Sequence, residues 1–430
     1  MIILMTAGLV FFMALGMPVS YALCLIGAIG YYVNVGPEVF WDSTEAISQK
    51  MAYSLSNFLL LSIPFFILAA KLMNSSGITT RIFNFANMVV GFLPGGLGHA
   101  NVIASLIFAG MSGTAVSDAA GLGQIELKAM SDNGYDMEFS VGITAASSTI
   151  GPIFPPSVPM VMYSLISGAS VGYLFIGGVL PGLLMTLALM GLILLMAKKR
   201  KYASYPVPTF AQFCQSLWAV FLPLMTPVIL LWGIWGGYFT PSEAAVVAFT
   251  YSLILSVFVF REMGVRHLVD VFIETAKETA AIGFIICASS FYGWVLARSG
   301  VTAQLGRIMF DLTTDPLWML MIINVFLLIV GCFMEATAAI LVVGPILMPI
   351  VNQLGIDPIQ FGVVMVLNLM LGLLTPPFGV VLFIMQKVSG LSFVQVVRGT
   401  MPFLIPLFVV LILITVFPKL VTFLPNLLMN

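Results

Sequence analysis

Apolar runs of about twenty residues recur from one end of this chain to the other, and a helix needs a run of that length to cross a bilayer. Hydrophobic residues make up 60% of the 430 residues, and charged residues only 8%. This composition indicates an all-α polytopic membrane protein. The net charge of −1 and the lack of a basic patch argue against nucleic-acid binding.

The chain also contains an internal repeat. Shifting the sequence against itself by 221 residues brings glycines and prolines into register in these pairs: Gly16/Gly237, Gly110/Gly331, Gly123/Gly344, Gly134/Gly355, Gly151/Gly372, Pro155/Pro376, Pro156/Pro377, Gly178/Gly399 and Pro181/Pro402. Two homologous halves are therefore predicted, residues 1–200 and 217–430. A polar linker, residues 201–216, joins them.

Each half contains two interrupted apolar regions. In the first half these are residues 100–129 and 139–166, and in the second half residues 317–352 and 361–387. The regions 100–129 and 317–352 are predicted to be re-entrant hairpins, because their arms look short and a polar centre survives at membrane depth only when buried in protein or lining water. Each half then crosses the membrane five times, and this odd number inverts the second half relative to the first.

Positive charges favour one direction for these spans, because Lys and Arg concentrate in cytoplasmic loops. With the N-terminus outside, most basic residues are expected on the cytoplasmic side: Lys71, Arg81, Lys128, Lys198, Lys199, Arg200, Lys201, Arg261, Arg266, Lys277, Lys387 and Arg398. The exceptions, expected outside, are Lys50, Arg298, Arg307 and Lys419. The linker is therefore predicted to be cytoplasmic and both termini to lie outside.

The other interrupted regions are predicted to be broken helices. The sequences TIGPIFPPSVP (149–159) and LGLLTPPFGV (371–380) each place Gly four residues before Pro-Pro. Proline removes a backbone donor and stops a helix, so the predicted helix breaks are Pro155, Pro156, Pro376 and Pro377. Unwound carbonyls at such breaks coordinate Na⁺ in many secondary transporters built from inverted repeats. The alternative is a proline kink that binds nothing.

The hairpin tips add hydroxyl and carboxyl oxygens, which suit a hard cation. One Na⁺ site is predicted from the first half, with the ligands Ser112, Gly113, Thr114, Ser147, Thr149 and Gly151. A second is predicted from the second half, with the ligands Gly331, Glu335, Thr337, Gly372 and Thr375. The alternative is that these small residues only allow close helix packing.

Four charged residues stand out within or beside apolar segments. A carboxylate at membrane depth is costly and usually functional, which applies to Glu335 and, less clearly, to Asp118. Arg298 closes an apolar run and could bind a carboxylate bidentately, or it could simply reach the lipid headgroups. Glu243 could cap a helix or pair with a partner's basic residue, and the cap is favoured.

The sequence argues against an intramembrane enzyme. Only two histidines are present, neither HExxH nor GxSxG occurs, and no buried carboxylate pair is expected. An ion channel would also have many spans, but it would not need two ion-binding breaks built from inverted halves. A secondary transporter is therefore the favoured class.

Four segments resemble a known family: FAGMSGTAVSDAAGLGQIELKAM (108–130), IGPIFPPSVPMVMY (150–163), MEATAAILVVGPILMPI (334–350) and LGLLTPPFGVVLF (371–383). They are similar to the large membrane subunit of tripartite ATP-independent periplasmic (TRAP) transporters, the DctM or SiaM type. The resemblance covers essentially the whole chain. It implies an elevator fold of the ion-transporter superfamily and a bacterial inner membrane location with periplasmic termini.

The resemblance also implies a function. It implies Na⁺-coupled uptake of a carboxylate, with a separate small four-helix membrane subunit and a soluble periplasmic binding protein that delivers the substrate. Sialic acid is the favoured substrate, and a C4-dicarboxylate is the alternative. Arg298, Ser157 and Ser170 are expected to contact the substrate, with Arg298 at its carboxylate.

Overall fold

The computed structural model describes residues 1–200, 202 and 204–429, and over these residues it is helical, with no β-strand. Among the described residues, twelve helices precede the linker: α1 (Ile2–Ala14), α2 (Val19–Val35), α3 (Pro37–Asp42), α4 (Thr44–Tyr53), α5 (Ser62–Ser75), α6 (Ile78–Val90), α7 (Gly96–Ser112), α8 (Ala115–Ala120), α9 (Leu122–Asp132), α10 (Met137–Ser148), α11 (Val158–Ser167) and α12 (Val171–Arg200). The helices that follow the linker are α13 (Phe210–Trp235), α14 (Pro241–Ile254), α15 (Val265–Arg298), α16 (Val301–Leu312), α17 (Pro316–Phe333), α18 (Ala336–Gln353), α19 (Pro358–Gly372), α20 (Val380–Ser389), α21 (Phe393–Val416) and α22 (Lys419–Leu428). The predicted all-α class is confirmed.

Membrane-length helices account for much of this architecture. Eight helices are long and apolar enough to cross a bilayer among the residues described, and α15, α12 and α13 are the longest of the single helices. Both arms of the second hairpin, α17 and α18, also reach this length, with 18 residues each. The prediction of short arms is therefore wrong for this hairpin.

The order of elements after α4 recurs after α14. In each half two successive helices are followed by a hairpin, a broken helix and a long helix. In the first half these are α5, α6, α7–α9, α10–α11 and α12; in the second they are α15, α16, α17–α18, α19–α20 and α21. The relative orientation of the two halves stays a prediction. Lys201, one of the basic residues used to predict it, lies outside the described residues.

Several short helices were not expected from hydropathy. They are α3, α4, α6, α16 and α22. Helix α6 shows the reason: Ile78, Ile82 and Ala86 are buried while Thr80 and Asn84 are exposed, so only one face is apolar. A helix with one polar face has a low mean hydropathy and is not recognised as a span.

Ordinary capping chemistry begins many of the helices. Thr240 and Glu243 form a capping box at the start of α14, with the Thr240 backbone N–H donating to Glu243 Oε2 at 2.8 Å. The cap interpretation of Glu243 is thus confirmed. Aspartates cap three further helices: Asp136 (α10), Asp315 (α17) and Asp357 (α19).

The two halves pack crosswise. Helix α10 of the first half lies against α21 of the second, α11 lies against α18, and α8 lies against α20. The α10–α21 crossing is tight, because a Cβ added to Gly142 would lie 2.5 Å from the carbonyl carbon of Gly399. The hairpins and broken helices of both halves therefore form one packed unit.

Candidate functional site

The first helix break spans residues 149–157, between α10 and α11. All of these residues are buried except Phe154, which is half-buried. The peptide bond between Pro155 and Pro156 is cis. Ser157 caps α11 by accepting a hydrogen bond from the Met160 backbone N–H at 3.2 Å, and its hydroxyl donates to the Pro152 carbonyl at 2.5 Å. The predicted break is therefore present and is enclosed by protein.

The tip of the first hairpin lies directly against this break. Gly113 ends α7 with φ of 64°, and its carbonyl accepts a hydrogen bond from the Val158 N–H at 3.3 Å. A Cβ on Gly113 would lie 2.7 Å from the Pro156 carbonyl oxygen, and one on Gly151 would lie 3.4 Å from the Thr114 carbonyl oxygen. The backbones of the tip and of the break therefore pack against each other, with the Pro156 carbonyl close to Gly113 and the Thr114 carbonyl close to Gly151.

One hydroxyl at this tip has no protein partner. Ser112 is buried, and its Oγ makes no hydrogen bond in the described structure. Thr114 Oγ1 accepts from the Ser117 N–H at 3.3 Å as the cap of α8, and Thr149 donates to the Ala146 carbonyl at 2.6 Å. An orphaned buried hydroxyl beside clustered carbonyls fits a site for a hard cation.

The second tip and break also meet, but with different chemistry. A Cβ on Gly372 would lie 2.5 Å from Gly331 Cα, so the two backbones touch where α17 passes the end of α19. Thr375 donates its hydroxyl to the Leu371 carbonyl at 2.8 Å. The Pro376–Pro377 peptide bond is cis, and Pro377 is exposed rather than buried.

Glu335 serves as the N-cap of α18. Its Oε2 accepts hydrogen bonds from the backbone N–H groups of Thr337 at 2.9 Å and Ala338 at 3.3 Å, while Oε1 accepts from the Thr337 hydroxyl at 3.0 Å. This arrangement accounts for a carboxylate at the hairpin tip through helix capping alone. The role of Glu335 and Thr337 as Na⁺ ligands stays a prediction.

A buried polar cluster joins α7, the returning arm of the first hairpin and α10. Its members, all at most 1% exposed, are Asn101, Ser105, Asp118, Glu126, Thr144 and Ser147. Asn101 Nδ2 donates to Glu126 Oε2 at 2.8 Å and to Thr144 Oγ1 at 2.7 Å. Ser147, predicted as a cation ligand, donates to Asn101 Oδ1 at 2.7 Å and accepts from Ser105 at 3.1 Å.

This cluster overturns one expectation and contains residues that were not predicted from the sequence. Asp118 and Glu126 are two buried carboxyls in one network, so the expectation of no buried carboxylate pair is wrong. The signal was present in the spacing: Asn101 and Ser105 are four residues apart and Thr144 and Ser147 three apart, which puts each pair on one face of a helix.

The residues expected to contact the substrate are not brought together. A cavity of about 790 Å³ lies between α11, α15 and α18, and the polar or charged residues lining it are Lys50, Ser54, Asn57, Ser289, Ser290 and Asn352. Ser170 lines a second cavity of about 510 Å³, which shares Asn57 and Leu165 with the first. Ser157 lines neither cavity and belongs to the first break.

Arg298 lies beside the larger cavity rather than on its lining. The side chain is exposed, and its guanidinium carbon is 5.4 Å from the centre of the Trp294 ring and 6.0 Å from that of Tyr31. Trp294 and Ala297 themselves line the cavity. The basic residue on the lining is Lys50, which was not predicted as a binding residue.

Comparison with known proteins identifies the class. Residues 6–420 match the family described as "Tripartite ATP-independent periplasmic transporter, DctM component", and the chain belongs to this family. The resemblance drawn from the hairpin and break motifs is confirmed, and this protein is a TRAP transporter large permease. The family and the apolar helices make it a multi-pass membrane protein.

Individual relatives carry more specific names. The chain is 44% identical to the sialic acid TRAP transporter permease protein SiaT of Haemophilus influenzae, over 97% of this chain and 67% of that protein. It is 42% identical to the sialic acid large permease SiaM of Vibrio cholerae, over 96% of this chain and 95% of that protein. It is 38% identical to the C4-dicarboxylate large permease DctM of Pseudomonas aeruginosa, over 90% of each.

A solved structure supports the fold. The crystal structure of the Alcanivorax borkumensis YdaH transporter is similar with a TM-score of 0.66, covering 97% of this chain and 98% of that one. The sequence identity is 13%, so this similarity concerns the fold alone.

Proposed function

We propose that this large permease takes up a carboxylate substrate together with Na⁺ by an elevator mechanism. The observation that carries the proposal is the meeting of a hairpin tip and a helix break in each half. The two backbones are in close contact there, and in the first half the Ser112 hydroxyl has no protein partner among the described residues. Such oxygen-rich breaks suit Na⁺. Both tips and both breaks belong to one packed unit, as an elevator's moving domain requires.

The halves, residues 1–200 and 217–430, are proposed to be inverted repeats in a bacterial inner membrane, with periplasmic termini and a cytoplasmic linker at 201–216. Ion pairs between the halves are consistent with the predicted sidedness, because they join segments of both halves that are expected on the cytoplasmic side. Lys71 lies 2.7 Å from Glu278 and Arg81 lies 2.8 Å from Glu262, so both contact the region that also carries Arg261, Arg266 and Lys277.

Sialic acid is the proposed substrate, because relatives named for sialic acid transport are 44% and 42% identical to this chain. A C4-dicarboxylate is the second candidate, on the basis of the 38% identical DctM relative. The 790 Å³ cavity supports either acid: it carries Lys50, hydroxyls and amides, and Arg298 lies beside it. The tripartite family description supports a small four-helix membrane subunit and a periplasmic binding protein as partners.

Reconstitution tests this function. Proteoliposomes would contain the chain with its small subunit, and the cognate binding protein would be added outside. Sialic acid uptake under an inward Na⁺ gradient is expected to saturate and to exceed succinate uptake. Uptake without Na⁺ or without the binding protein is expected to fall to background. Flux that needs neither would contradict the proposal and favour an ion channel, and greater succinate uptake would favour the C4-dicarboxylate alternative.

Arg298→Ala tests carboxylate recognition. We expect it to abolish uptake without unfolding the protein, because an arginine fork pairs with a carboxylate in a way no neutral residue replaces. The matched control is Arg266→Ala, near the other end of the same helix α15, which is expected to transport normally. Normal uptake by Arg298→Ala would remove this residue from the substrate site.

A further inference from the structure

A further cavity, of about 550 Å³, lies between α16 and the adjoining parts of α15 and α18. Its walls are formed mainly by apolar side chains, among them Leu296, Phe310 and Ile350. The polar side chains on its described lining are Arg307 and Gln353. The cavity therefore combines an apolar wall with one positive charge.

The two polar side chains lie towards one end of this cavity. Along α18 the lining runs from Pro345 to Gln353, the last residue of the helix, which is about 12 Å at 1.5 Å per residue. Helix α16 leads from the end of α15 to the start of α17, the other arm of the hairpin, so α16 lies at the end of the hairpin where α18 stops. The apolar wall therefore extends inward from Arg307 and Gln353 over most of one leaflet of the hydrocarbon core, which is about 15 Å thick.

Helix α16 has the features of a helix at the bilayer surface. It exposes Ile308 and Leu312 beside the charged residues Arg307 and Asp311. Trp318, in the first turn of α17, is also exposed. Amphipathic helices and tryptophans both favour the boundary between lipid headgroups and acyl chains. Arg307 is therefore expected at the level of the headgroups, with the apolar wall beside the acyl chains.

Arg307 has no protein counter-ion among the described residues. Its side chain is exposed and makes no ion pair, and the acid on the same helix, Asp311, is also exposed and unpaired. The corresponding helix of the first half, α6, carries Arg81, which Glu262 neutralises at 2.8 Å. The second half therefore leaves an unpaired guanidinium where the first half forms an ion pair.

This cavity adjoins the 790 Å³ cavity but differs from it in chemistry. Gly293, Ala297, Pro345 and Pro349 line both of them. The larger cavity also has a lysine, hydroxyls and amides on its lining, whereas most of the smaller one is apolar. A small, water-soluble acid suits the larger cavity, and an amphipathic anion suits the smaller one.

We propose that the smaller cavity binds an anionic phospholipid, with the phosphate at Arg307 and Gln353 and one acyl chain between α16 and α18. A guanidinium pairs bidentately with a phosphate, and the Gln353 amide can donate to the same group. The chain fills the apolar part through van der Waals contacts, which carry association inside a bilayer. A soluble anion would use Arg307 and leave the apolar wall uncovered. This inference is independent of the proposed transport.

Native mass spectrometry of the purified full-length protein tests the site without Na⁺ or a gradient. Protein stripped of lipid in a neutral detergent is titrated with palmitoyl-oleoyl phosphatidylglycerol, or with phosphatidylcholine that carries the same chains. We expect the affinity of the wild type to be about fivefold higher for phosphatidylglycerol, the usual contribution of one arginine beside an anionic headgroup. Equal affinities for the two lipids would overturn the proposal.

Two variants separate the charge from the apolar wall. Arg307→Gln removes the charge and should make the two lipids bind equally. Gly306→Leu places a side chain in the cavity, because a Cβ on Gly306 would meet no atom within 4 Å, and it should weaken the binding of both lipids. Leucine favours a helix more than glycine does, so this variant should stay folded. Unchanged lipid binding by Gly306→Leu would overturn the proposal.

The matched control is Arg266→Gln, which removes an exposed arginine near the other end of α15 and should bind both lipids as the wild type does. A loss of phosphatidylglycerol binding equal to that of Arg307→Gln would indicate nonspecific attraction and contradict the site.

Competitors distinguish the lipid from other anions. Glycerol phosphate carries the charge without acyl chains, and sialic acid is the proposed substrate. Neither should displace bound phosphatidylglycerol at millimolar concentration. Displacement by glycerol phosphate would indicate a simple anion site, and displacement by sialic acid would assign the cavity to the substrate, so either result would overturn the proposal. A protein without Na⁺-dependent uptake would refute the proposed function, and the lipid measurement would still decide this inference.

Discussion

The two halves interrupt their helices at corresponding positions but surround the interruptions with different chemistry. The first break is almost entirely buried and rich in hydroxyls, and its hairpin carries two buried carboxyls. The second break is flanked by leucines, leaves Pro377 and Phe378 exposed, and has one acid, Glu335, which caps a helix. The shared features are glycines, Pro-Pro and a tight tip. These features build the break, whereas the side chains around it differ and so can serve different tasks.

The largest expected effect concerns the backbone that both halves need. Gly113→Ala should reduce uptake to background, because φ of 64° strains an alanine by about 1–2 kcal/mol and the new methyl group would meet the Pro156 carbonyl. Gly134→Ala is the control. Gly134 has φ of 75°, but no atom would contact the new methyl group, so this variant has the backbone strain without the steric contact. Initial uptake rates in proteoliposomes measure the difference. Equal losses in both variants would mean that the contact with the break does not matter.

The second prediction compares the two asparagine networks. Asn101→Leu removes the amide donor of Glu126 and should cost about 2–3 kcal/mol of unfolding free energy, since a buried carboxyl loses its hydrogen bond. Asn324→Leu breaks only neutral hydrogen bonds, to Asn368 and Thr415, and should cost about 1 kcal/mol. Thermal unfolding in detergent ranks the two. A larger loss of unfolding free energy in Asn324→Leu than in Asn101→Leu would contradict the expectation that the hydrogen bond to the carboxyl group contributes more than the neutral hydrogen bonds.

The third prediction concerns Na⁺ affinity. Ser112→Ala should raise the Na⁺ concentration for half-maximal uptake about fivefold, equivalent to about 1 kcal/mol, because Ser112 Oγ has no competing protein partner. Thr375→Ala should raise it less, about twofold, because its hydroxyl already bonds to Leu371. Na⁺ titrations of uptake measure both shifts. An unchanged Na⁺ dependence in both variants would remove the proposed ion sites.

The smallest expected effect is at the second tip. Glu335→Gln keeps an amide oxygen that can accept from the Thr337 and Ala338 N–H groups, so it should cost less than about 1 kcal/mol of unfolding free energy. A thermal unfolding shift in detergent measures this cost, with Asp132→Asn as the control. A loss larger than that of Asn101→Leu would show that Glu335 does more than cap α18.

The sequence was sufficient to predict features that repeat locally. The duplicated Gly-x-x-x-Pro-Pro placed both helix breaks, because glycine and proline act on their own backbone. The sequence did not predict the Asp118–Glu126 cluster, because its members come from separate helices and meet only after these helices pack. The amphipathic helix α6 was missed because its pattern is periodic rather than uniformly apolar.

Crosswise packing has a consequence for biosynthesis. During translation α10 and α11 emerge before α21 and α18 exist, so the Gly142 surface of α10 and the face of α11 that contacts α18 stay uncovered until those helices are made. Residues 1–200 would then wait in the membrane with their polar cluster incompletely enclosed. The first half is therefore inserted as a partly assembled unit whose packing is completed by α18, α20 and α21.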